Sequence, residues 1–356
     1  MAKITSLTDY RLLGKSGLRV SPLCLGTMTF GTEWGWGTEL RDCRDILDRY
    51  LDQGGNFIDT ANYYTNGTSE RILGELLTKR RERVVIGTKY TLNMHRGDPN
   101  SGGNQRKNLV QSLEASLRRL KTEYIDLYWV HIWDQFTPIE EVMRALDDLV
   151  TAGKVLYVGI SDMPAWKIAQ ANTIANYRGW TPFIAMQMEY SLVERCSERE
   201  LIPMADEFGL GFMPWSPLGG SILSGKYDRK DLNVVENEGR TDVNREGARP
   251  IHKRLNDRNI RIVEEVERIA DEQNAKVAQV ALRWLLDKEY VTSLIIGART
   301  PVQFEENLEC FNVDLSDEQT KRLDEISGID LGFPIEFINR DSIIELITGG
   351  TRIWEN

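Results

Sequence analysis

Residues that build metal sites and disulfide frames are scarce in this chain. Only four cysteines and three histidines occur among its 356 residues. Cys24, Cys43, Cys196 and Cys310 form no C-x-x-C pair, so neither a disulfide frame nor a zinc site is expected, and the four read as neutral thiols. His95, His131 and His252 lie far apart in the sequence, which argues against a multi-histidine metal site. Long apolar runs are missing too. None approaches the roughly 18 to 20 residues needed to span a bilayer, and the opening MAKITSLTDY has no apolar signal core. A cytoplasmic protein without a membrane role is expected. Positive charge is the minority sign, 44 Lys and Arg against 54 Asp and Glu, for a formal net charge of −10. That excludes the basic surface on which generic nucleic-acid affinity depends, so any anionic ligand must be held by a local cluster. No low-complexity stretch or linker interrupts residues 1–356, which predicts one domain.

The residues that are present follow a repeating order. A hairpin-like stretch, YRLLGKSGLRVSP at 10–22 with Gly14-Lys15-Ser16-Gly17 as its turn, precedes an apolar strand at 23–25. Further strands are expected at 57–59, 84–88, 125–131, 155–160, 183–187, 211–214 and 293–296. Helices are expected between them at 39–52, 70–78, 105–120, 139–151, 165–176 and 198–208, then at 258–274, 276–287 and from Pro301. Eight buried strands alternating with helices indicate βαβ units and a parallel sheet. The length suits a (β/α)8 TIM barrel whose bottom the hairpin plugs. Residues 216–256 break the rhythm, being rich in Gly, Asn, Asp, Arg and Lys without a sustained period, as a lid or mobile segment is. Beyond Ser316 the C-terminal tail holds a helix at 317–326 and then mixes apolar residues with Gly. It either covers the barrel mouth and lines a substrate pocket or packs on the outer helices.

Two glycine motifs resemble phosphate loops but lack their context. Gly220 to Lys226, GSILSGK, has the G-x-x-x-x-G-K spacing, yet Tyr227 stands where Ser or Thr would bind magnesium, and no following helix is expected. Gly209-Leu210-Gly211 comes after a helix, and Pro214 replaces the third glycine of a dinucleotide fingerprint. A nicotinamide cofactor in this chain would be held without a Rossmann loop.

Four polar groups of complementary kinds fall at strand ends: Asp59, Tyr64 in the loop that follows it, Lys89 near the close of VVIGTKY, and His131 closing IDLYWVH. In a parallel barrel these ends converge on one mouth, so groups distant in sequence meet around one reacting atom. Taken singly, Asp59 reads as a local backbone acceptor, Lys89 as a snorkelling side chain and His131 as a satisfied core residue. Taken together they suit carbonyl reduction. A lysine ammonium beside a phenol lowers its pKa from about 10 and makes Tyr64 a proton donor, while Asp59 keeps the lysine charged. His131 would donate to the carbonyl oxygen and stabilise the alkoxide that forms as hydride reaches carbon.

These segments resemble those of aldo-keto reductases, and the likeness runs from the hairpin to about Asn312. DTANYYTNGTSERILG is similar to the family's D-T-A-x-x-Y followed by S-E-x-x-L-G, GTKY to its lysine strand, and YIDLYWVHIWD to its histidine strand. The resemblance implies that Asp59, Tyr64, Lys89 and His131 are catalytic, with Tyr64 rather than Tyr63 as proton donor. It further implies a bound nicotinamide dinucleotide lined by Gly26, Thr27 and Met28, with Asp59 beside it. Ser161 and Gln187 would hold the carboxamide, together with Asp162 where the family usually has Asn; a carboxylate accepts from the carboxamide NH₂ but cannot donate to its oxygen. Trp215 would stack on the nicotinamide. Ser216, Pro217, Leu218 and Gly220 would meet the pyrophosphate, with Lys226 adding charge. IIGARTPVQFEENLE is similar to the segment around the adenosine 2′-phosphate, implying contacts from Gly297, Arg299, Gln303, Glu306 and Asn307, and a helix N-terminus aimed at an anion. Gly297 and Gln303 stand where the best-known branch has Lys and Arg, leaving Arg299 as the main cation. NADP(H) is the expected cofactor.

GKSGLRVSPLCLGTMTFG and WSPLGGSILSGKY resemble the aryl-alcohol dehydrogenase and potassium-channel β-subunit side of the family. This implies a small-molecule aromatic or otherwise bulky carbonyl, or its alcohol, touching Trp34, Tyr64, His131 and Trp133, with Trp36 and Tyr90 as further apolar wall. Two other functions compete. A cofactor-binding regulatory subunit similar to channel β-subunits would retain cofactor with negligible turnover. A (β/α)8 hydrolase would need paired carboxylates, and no strand-end acid besides Asp59 is evident. The chain is compatible with a monomer or a homo-oligomer.

Overall fold

The alternation of apolar runs and amphipathic stretches becomes a parallel barrel in the computed structural model, which describes residues 3–232 and 254–351. A two-residue pair, β1 (Arg11–Leu12) and β2 (Arg19–Val20), forms the N-terminal hairpin, with Leu13 donating to Leu18 at 2.9 Å across its turn. The barrel strands are β3 (Leu23–Gly26), β4 (Phe57–Asp59), β5 (Val85–Tyr90), β6 (Ile125–Val130), β7 (Val155–Ser161), β8 (Phe183–Glu189), β9 (Gly211–Trp215) and β10 (Leu294–Ile296). They lie side by side in the order β10-β3-β4-β5-β6-β7-β8-β9, all parallel. A bridge between Phe212 and Val291, with the Thr292 amide donating to Phe212 at 2.8 Å, brings β9 against the entry to β10 and closes the ring. Each strand neighbours the next in sequence because a helix carries the chain back to the starting edge, the connection that parallel strands require.

Strand alternation sorts the side chains into two cores. Leu25, Ile58, Ile86, Tyr128, Met186 and Phe212 face outward and pack beneath the helices. Cys24, Phe57, Val85, Leu127, Trp129, Ala185, Met213 and Ile295 face inward and fill the barrel. The hairpin supplies Leu13 and Val20 to that inner cluster, so it is the plug the sequence predicts. Gly14 makes this docking possible. Its φ is +58°, and a Cβ there would collide with the carbonyls of Ile184 and Gly209.

Two helix starts differ from the sequence expectation. The second helix begins at Thr68, not at residue 70, because Ser69 is drawn into the core, donating to Thr27 O at 2.8 Å and lying 2.9 Å from Thr60 Oγ1. The helix expected at 198–208 splits into a 3-10 turn, Cys196–Glu198, and a helix at Leu201–Phe208. Pro203 accounts for this: proline is tolerated in a helix's first turn but clashes with the carbonyl four residues earlier. Residues 229–232 are helical, so a helical turn does follow Lys226, contrary to expectation. Residues 233–253 of the long irregular connection lie outside the described residues.

The helix Asp317–Ser327 packs on Asp257–Gln273 through Arg322, which bonds Glu265 at 2.7 Å and Glu272 at 2.9 Å. The tail then leaves this pair beside Arg199, which donates to Asp330 O at 2.8 Å. Its two short helices, Ile335–Ile338 and Asp341–Thr348, hold no fully buried residue, with Ile335 and Ile343 half-buried. No helix among the described residues is long and apolar enough to cross a membrane.

Candidate functional site

The inward parity that fills the barrel continues one step further at its mouth. Two residues beyond Phe57, Gly87, Trp129, Gly159, Ala185, Met213 and Ile295 come Asp59, Lys89, His131, Ser161, Gln187, Trp215 and Gly297. Trp129 is the floor beneath them. It occupies space left by two glycines: a Cβ on Gly87 would lie 2.7 Å from its Nε1, and a Cβ on Gly159 would collide with its six-membered ring. A bulky floor and polar ceiling at the C-terminal ends of the strands is the usual position of a site in this architecture.

Above Trp129 the structure brings Asp59, Tyr64, Lys89 and His131 together. Lys89 is fully buried, and its ammonium forms an ion pair with Asp59 Oδ2. The same ammonium donates to Thr60 O at 2.9 Å and to the Tyr64 hydroxyl at 3.0 Å. Gln187 Nε2 donates to the other Asp59 oxygen, Oδ1, at 3.0 Å, so the carboxylate is held from two sides. The Tyr64 and His131 rings meet edge to face, with centroids 6.0 Å apart. Tyr64 owes its place to a backbone kink: Thr65 and Asn66 have φ of 45° and 56°, and Thr65 Oγ1 anchors the turn to Phe30 O at 2.7 Å.

Loss of water dominates the electrostatics here. Burial pushes the Tyr64 phenol above its usual pKa, against the pull of the Lys89 ammonium. Lys89 pulls the phenol down as expected, but desolvation of a phenolate outweighs one neighbouring cation and the net direction is upward. Burial works to lower Lys89, but Asp59 and then Tyr64 hold its ammonium above the usual lysine value. Burial, and secondarily Lys89, keep the His131 imidazole well below its usual value, so it is neutral at neutral pH. Its Nδ1 is enclosed and has no hydrogen-bond partner among the described residues.

The residues expected to line a cofactor fall at the strand ends and in the following loops from β7 round to β3. Ser161 and Gln187 are buried and paired in register across β7 and β8. Asp162 takes a left-handed φ of 44° and accepts from Trp215 Nε1 at 3.0 Å, which fixes the indole at the end of β9. Ser216 Oγ accepts from the Gly220 amide at 3.0 Å, closing the turn that carries Pro217 and Leu218; Lys226 lies exposed beyond it. At the end of β10 Gly297 is exposed, and a Cβ there would meet nothing nearer than Gly26 O at 3.7 Å, leaving an open cradle between β10 and β3. Asn307 donates to Gly297 O at 3.4 Å, and Gln303 accepts from the Arg299 amide at 3.0 Å. Thr300 caps the helix Pro301–Leu308, while Glu306 pairs with Lys276. The loop after β3 is clasped to this segment by Thr29 donating to Ala298 O at 2.9 Å and Thr38 to Arg299 O at 3.2 Å, with Met28 exposed at its tip.

Two of the expected residues are turned away from the mouth. Thr27 is fully buried, its hydroxyl donating to Asp59 O at 3.0 Å, so its side chain braces the strand ends. Tyr90, expected as substrate wall, is fully buried and stacked on Tyr128 with centroids 5.3 Å apart. Parity explains it: Lys89 faces into the barrel, so Tyr90 must face the helices.

Around the mouth stand aromatic rings. Trp34 packs tilted against Trp36 and Tyr63, at 5.6 and 5.9 Å between centroids. Trp133 meets Trp166 edge to face at 5.7 Å, and the Lys167 ammonium lies 5.5 and 5.1 Å from those two rings. Trp166, Lys167 and the Gln187–Asp59 and Asp162–Trp215 contacts went unread in the sequence. Gln187 carried a signal, since it shares the inward parity of its strand; Trp166 and Lys167 carried none, because nothing local ties a helix start to the loop of another strand.

The comparisons with known proteins agree with this geometry. The sequence model of the Aldo/keto reductase family matches residues 22–328. Norsolorinic acid reductase of Aspergillus flavus is 38% identical over 347 residues, 94% of this chain and 85% of that protein. Aryl-alcohol dehydrogenase [NADP(+)] of Phanerodontia chrysosporium is 37% identical over 347 residues, 93% of this chain and 89% of that protein. Norsolorinic acid reductase stcV of Emericella nidulans is 39% identical over 333 residues, 91% of this chain and 82% of that protein. A family match over most of the chain and relatives of this identity along nearly their whole lengths leave one assignment, and this protein belongs to the aldo/keto reductase family of oxidoreductases.

Proposed function

We propose that this protein reduces a bulky aromatic aldehyde or ketone to its alcohol, with NADPH as the reductant and Tyr64 as the proton donor. The observation that carries the reading is the 3.0 Å contact between the Lys89 ammonium and the Tyr64 hydroxyl in a mouth where Asp59 holds the same ammonium. The residues fit a dinucleotide: an open cradle at Gly297, an indole held at its edge by Asp162, and a capped helix N-terminus beside Arg299. NADPH, when bound, supplies the hydride.

The chain's own residues manage the proton and the charge. Because Lys89 donates to the Tyr64 oxygen, the phenol keeps its own hydrogen for an acceptor in the mouth. Its pKa, raised by burial, keeps that hydrogen in place at neutral pH. When the proton passes to the carbonyl oxygen, the phenolate left behind sits beside an ammonium that Asp59 keeps charged. Neutral His131 has one N–H to give, which orients the carbonyl without competing as an acid. The rings of Trp34 and Trp133 near the mouth suit a flat substrate, and the printed name of one relative, aryl-alcohol dehydrogenase [NADP(+)], supports both an aromatic substrate and NADP(H). Residues 1–356 act as one domain in this reading.

A carbonyl panel followed by NADPH absorbance, with NADH in parallel, tests the activity. Tyr64→Phe is expected to cut reduction by about a hundredfold or more, while the Kd for NADPH stays within about twofold, since no cofactor contact is lost. Near-normal turnover of the variant would remove Tyr64 from its role.

A further inference from the structure

A fully buried carboxylate lies one layer behind the mouth and takes no part in the contacts there. Glu70 is 0% exposed and stands in the first turn of the helix Thr68–Leu76. Its two oxygens are divided between two other elements. Oε1 accepts from the Thr88 hydroxyl at 2.6 Å, and Oε2 accepts from Arg119 Nε at 2.6 Å. Taking such an ion pair out of water costs about as much as its attraction returns, so net stability gives little reason for it.

The partners show which geometry the carboxylate fixes. Thr88 immediately precedes Lys89 in β5, so by strand alternation its hydroxyl points to the helices while the ammonium points to the mouth. Glu70 follows Tyr64 across the Tyr64–Gly67 turn, in which Thr65 and Asn66 hold the left-handed φ that non-glycine residues adopt only under constraint. Arg119 backs the end of that turn: a Cβ on Gly67, whose φ is +84°, would lie 3.0 Å from its Cδ. Arg71, from the same helix as Glu70, donates to Asn66 O at 3.1 Å. Tyr64 and Lys89 are thus tied twice, directly by their 3.0 Å contact and from behind through the turn, Glu70 and Thr88.

We infer that Glu70 and Thr88 are positioning residues that hold the Tyr64 turn at the distance from β5 at which the Lys89 ammonium reaches the phenol oxygen. This rests on the reading of Tyr64 as proton donor and adds to it the brace that sets the donor's place. Both residues are buried on the helix side of the strand, so they act on the reacting groups only through Tyr64 and Lys89.

The test compares Thr88→Val, which keeps the shape of the side chain and removes the donor, with Thr88→Ser, which keeps the donor. Both are followed through single-turnover reduction, with NADPH, of the carbonyl that the wild type uses best. A small displacement of a reacting group is costly, so the single-turnover rate of Thr88→Val is expected to fall about tenfold or more, with KM for the carbonyl and Kd for NADPH within about twofold of wild type. Thr88→Ser is expected to keep its rate within about threefold of wild type. Should Thr88→Val fail to fold by circular dichroism, Glu70→Gln, whose amide offers one oxygen to two donors, is expected to show the same loss of rate without loss of affinity. A rate within about twofold of wild type in the folded variant, an equal loss in Thr88→Ser, or a loss carried by KM or cofactor affinity overturns the brace and leaves Tyr64 as donor. Failure of the wild type to reduce any carbonyl overturns the functional reading itself.

Discussion

At the scale of single residues, the mouth is governed by what burial does to charge. Lys89 and Asp59 face each other without water, and each would be costly to bury alone; Gln187 and Thr60 take up bonding capacity the pair leaves over. His131, half-buried at the rim, has no acid beside it, and burial and then the Lys89 ammonium hold its imidazole neutral. That has a measurable consequence. In the unfolded chain His131 takes up a proton at about pH 6.5, but in the folded chain only at much lower pH. Below about pH 6.5 the unfolded state binds more protons, so stability falls as pH drops, by at most about 1.4 kcal/mol per pH unit from this residue. Urea midpoints of the wild type are expected to fall more steeply between about pH 6.5 and 5 than those of His131→Gln; parallel slopes would place the proton uptake on other groups. The four residues of the mouth were legible because each belongs to a strand end or the loop after it. The sign of the Tyr64 shift was not, because it depends on how much water the assembled mouth excludes.

At the scale of elements, short apolar runs alternating with helical stretches located the strands and the turn chemistry located the hairpin, while helix starts moved wherever a side chain was claimed from elsewhere. Ser69 and Pro203 are the two cases: one is bonded into the core by Thr27 and Thr60, the other limits how far back a helix can run. The tail beyond Ser327 is the element least tied to the rest. Phe333, Leu346 and Ile347 are 85, 78 and 75% exposed, and no residue of the two short helices is fully buried. A chain ending at Gly328 is therefore expected to unfold in urea within about 1 kcal/mol of the full chain, because little apolar area is lost from the core. It should also bind less of an apolar dye such as ANS. A larger loss of stability would show that the tail is packed against the barrel in solution.

At the scale of the whole molecule, the two cores are concentric: the inner one is shared by all strands and the hairpin, and the outer one lies between strands and helices. No strand can leave without opening both. We expect one cooperative transition, with far-ultraviolet circular dichroism and tryptophan fluorescence coinciding along a urea titration; two separated transitions would divide the chain into more than one domain. The sequence by itself determined which segments are strands, and hence that Asp59, Lys89 and His131 share one rim, because the C-terminal ends of parallel barrel strands converge on one mouth; Gln187 and Trp215 were implied there only by the family resemblance. Only the tertiary structure decided that Trp129 fits beneath them through the gaps at Gly87 and Gly159, that Asp162 steers Trp215, and that Arg119 reaches Glu70. Those contacts join residues dozens of positions apart, and no local pattern of residue types encodes a distance that only barrel closure creates.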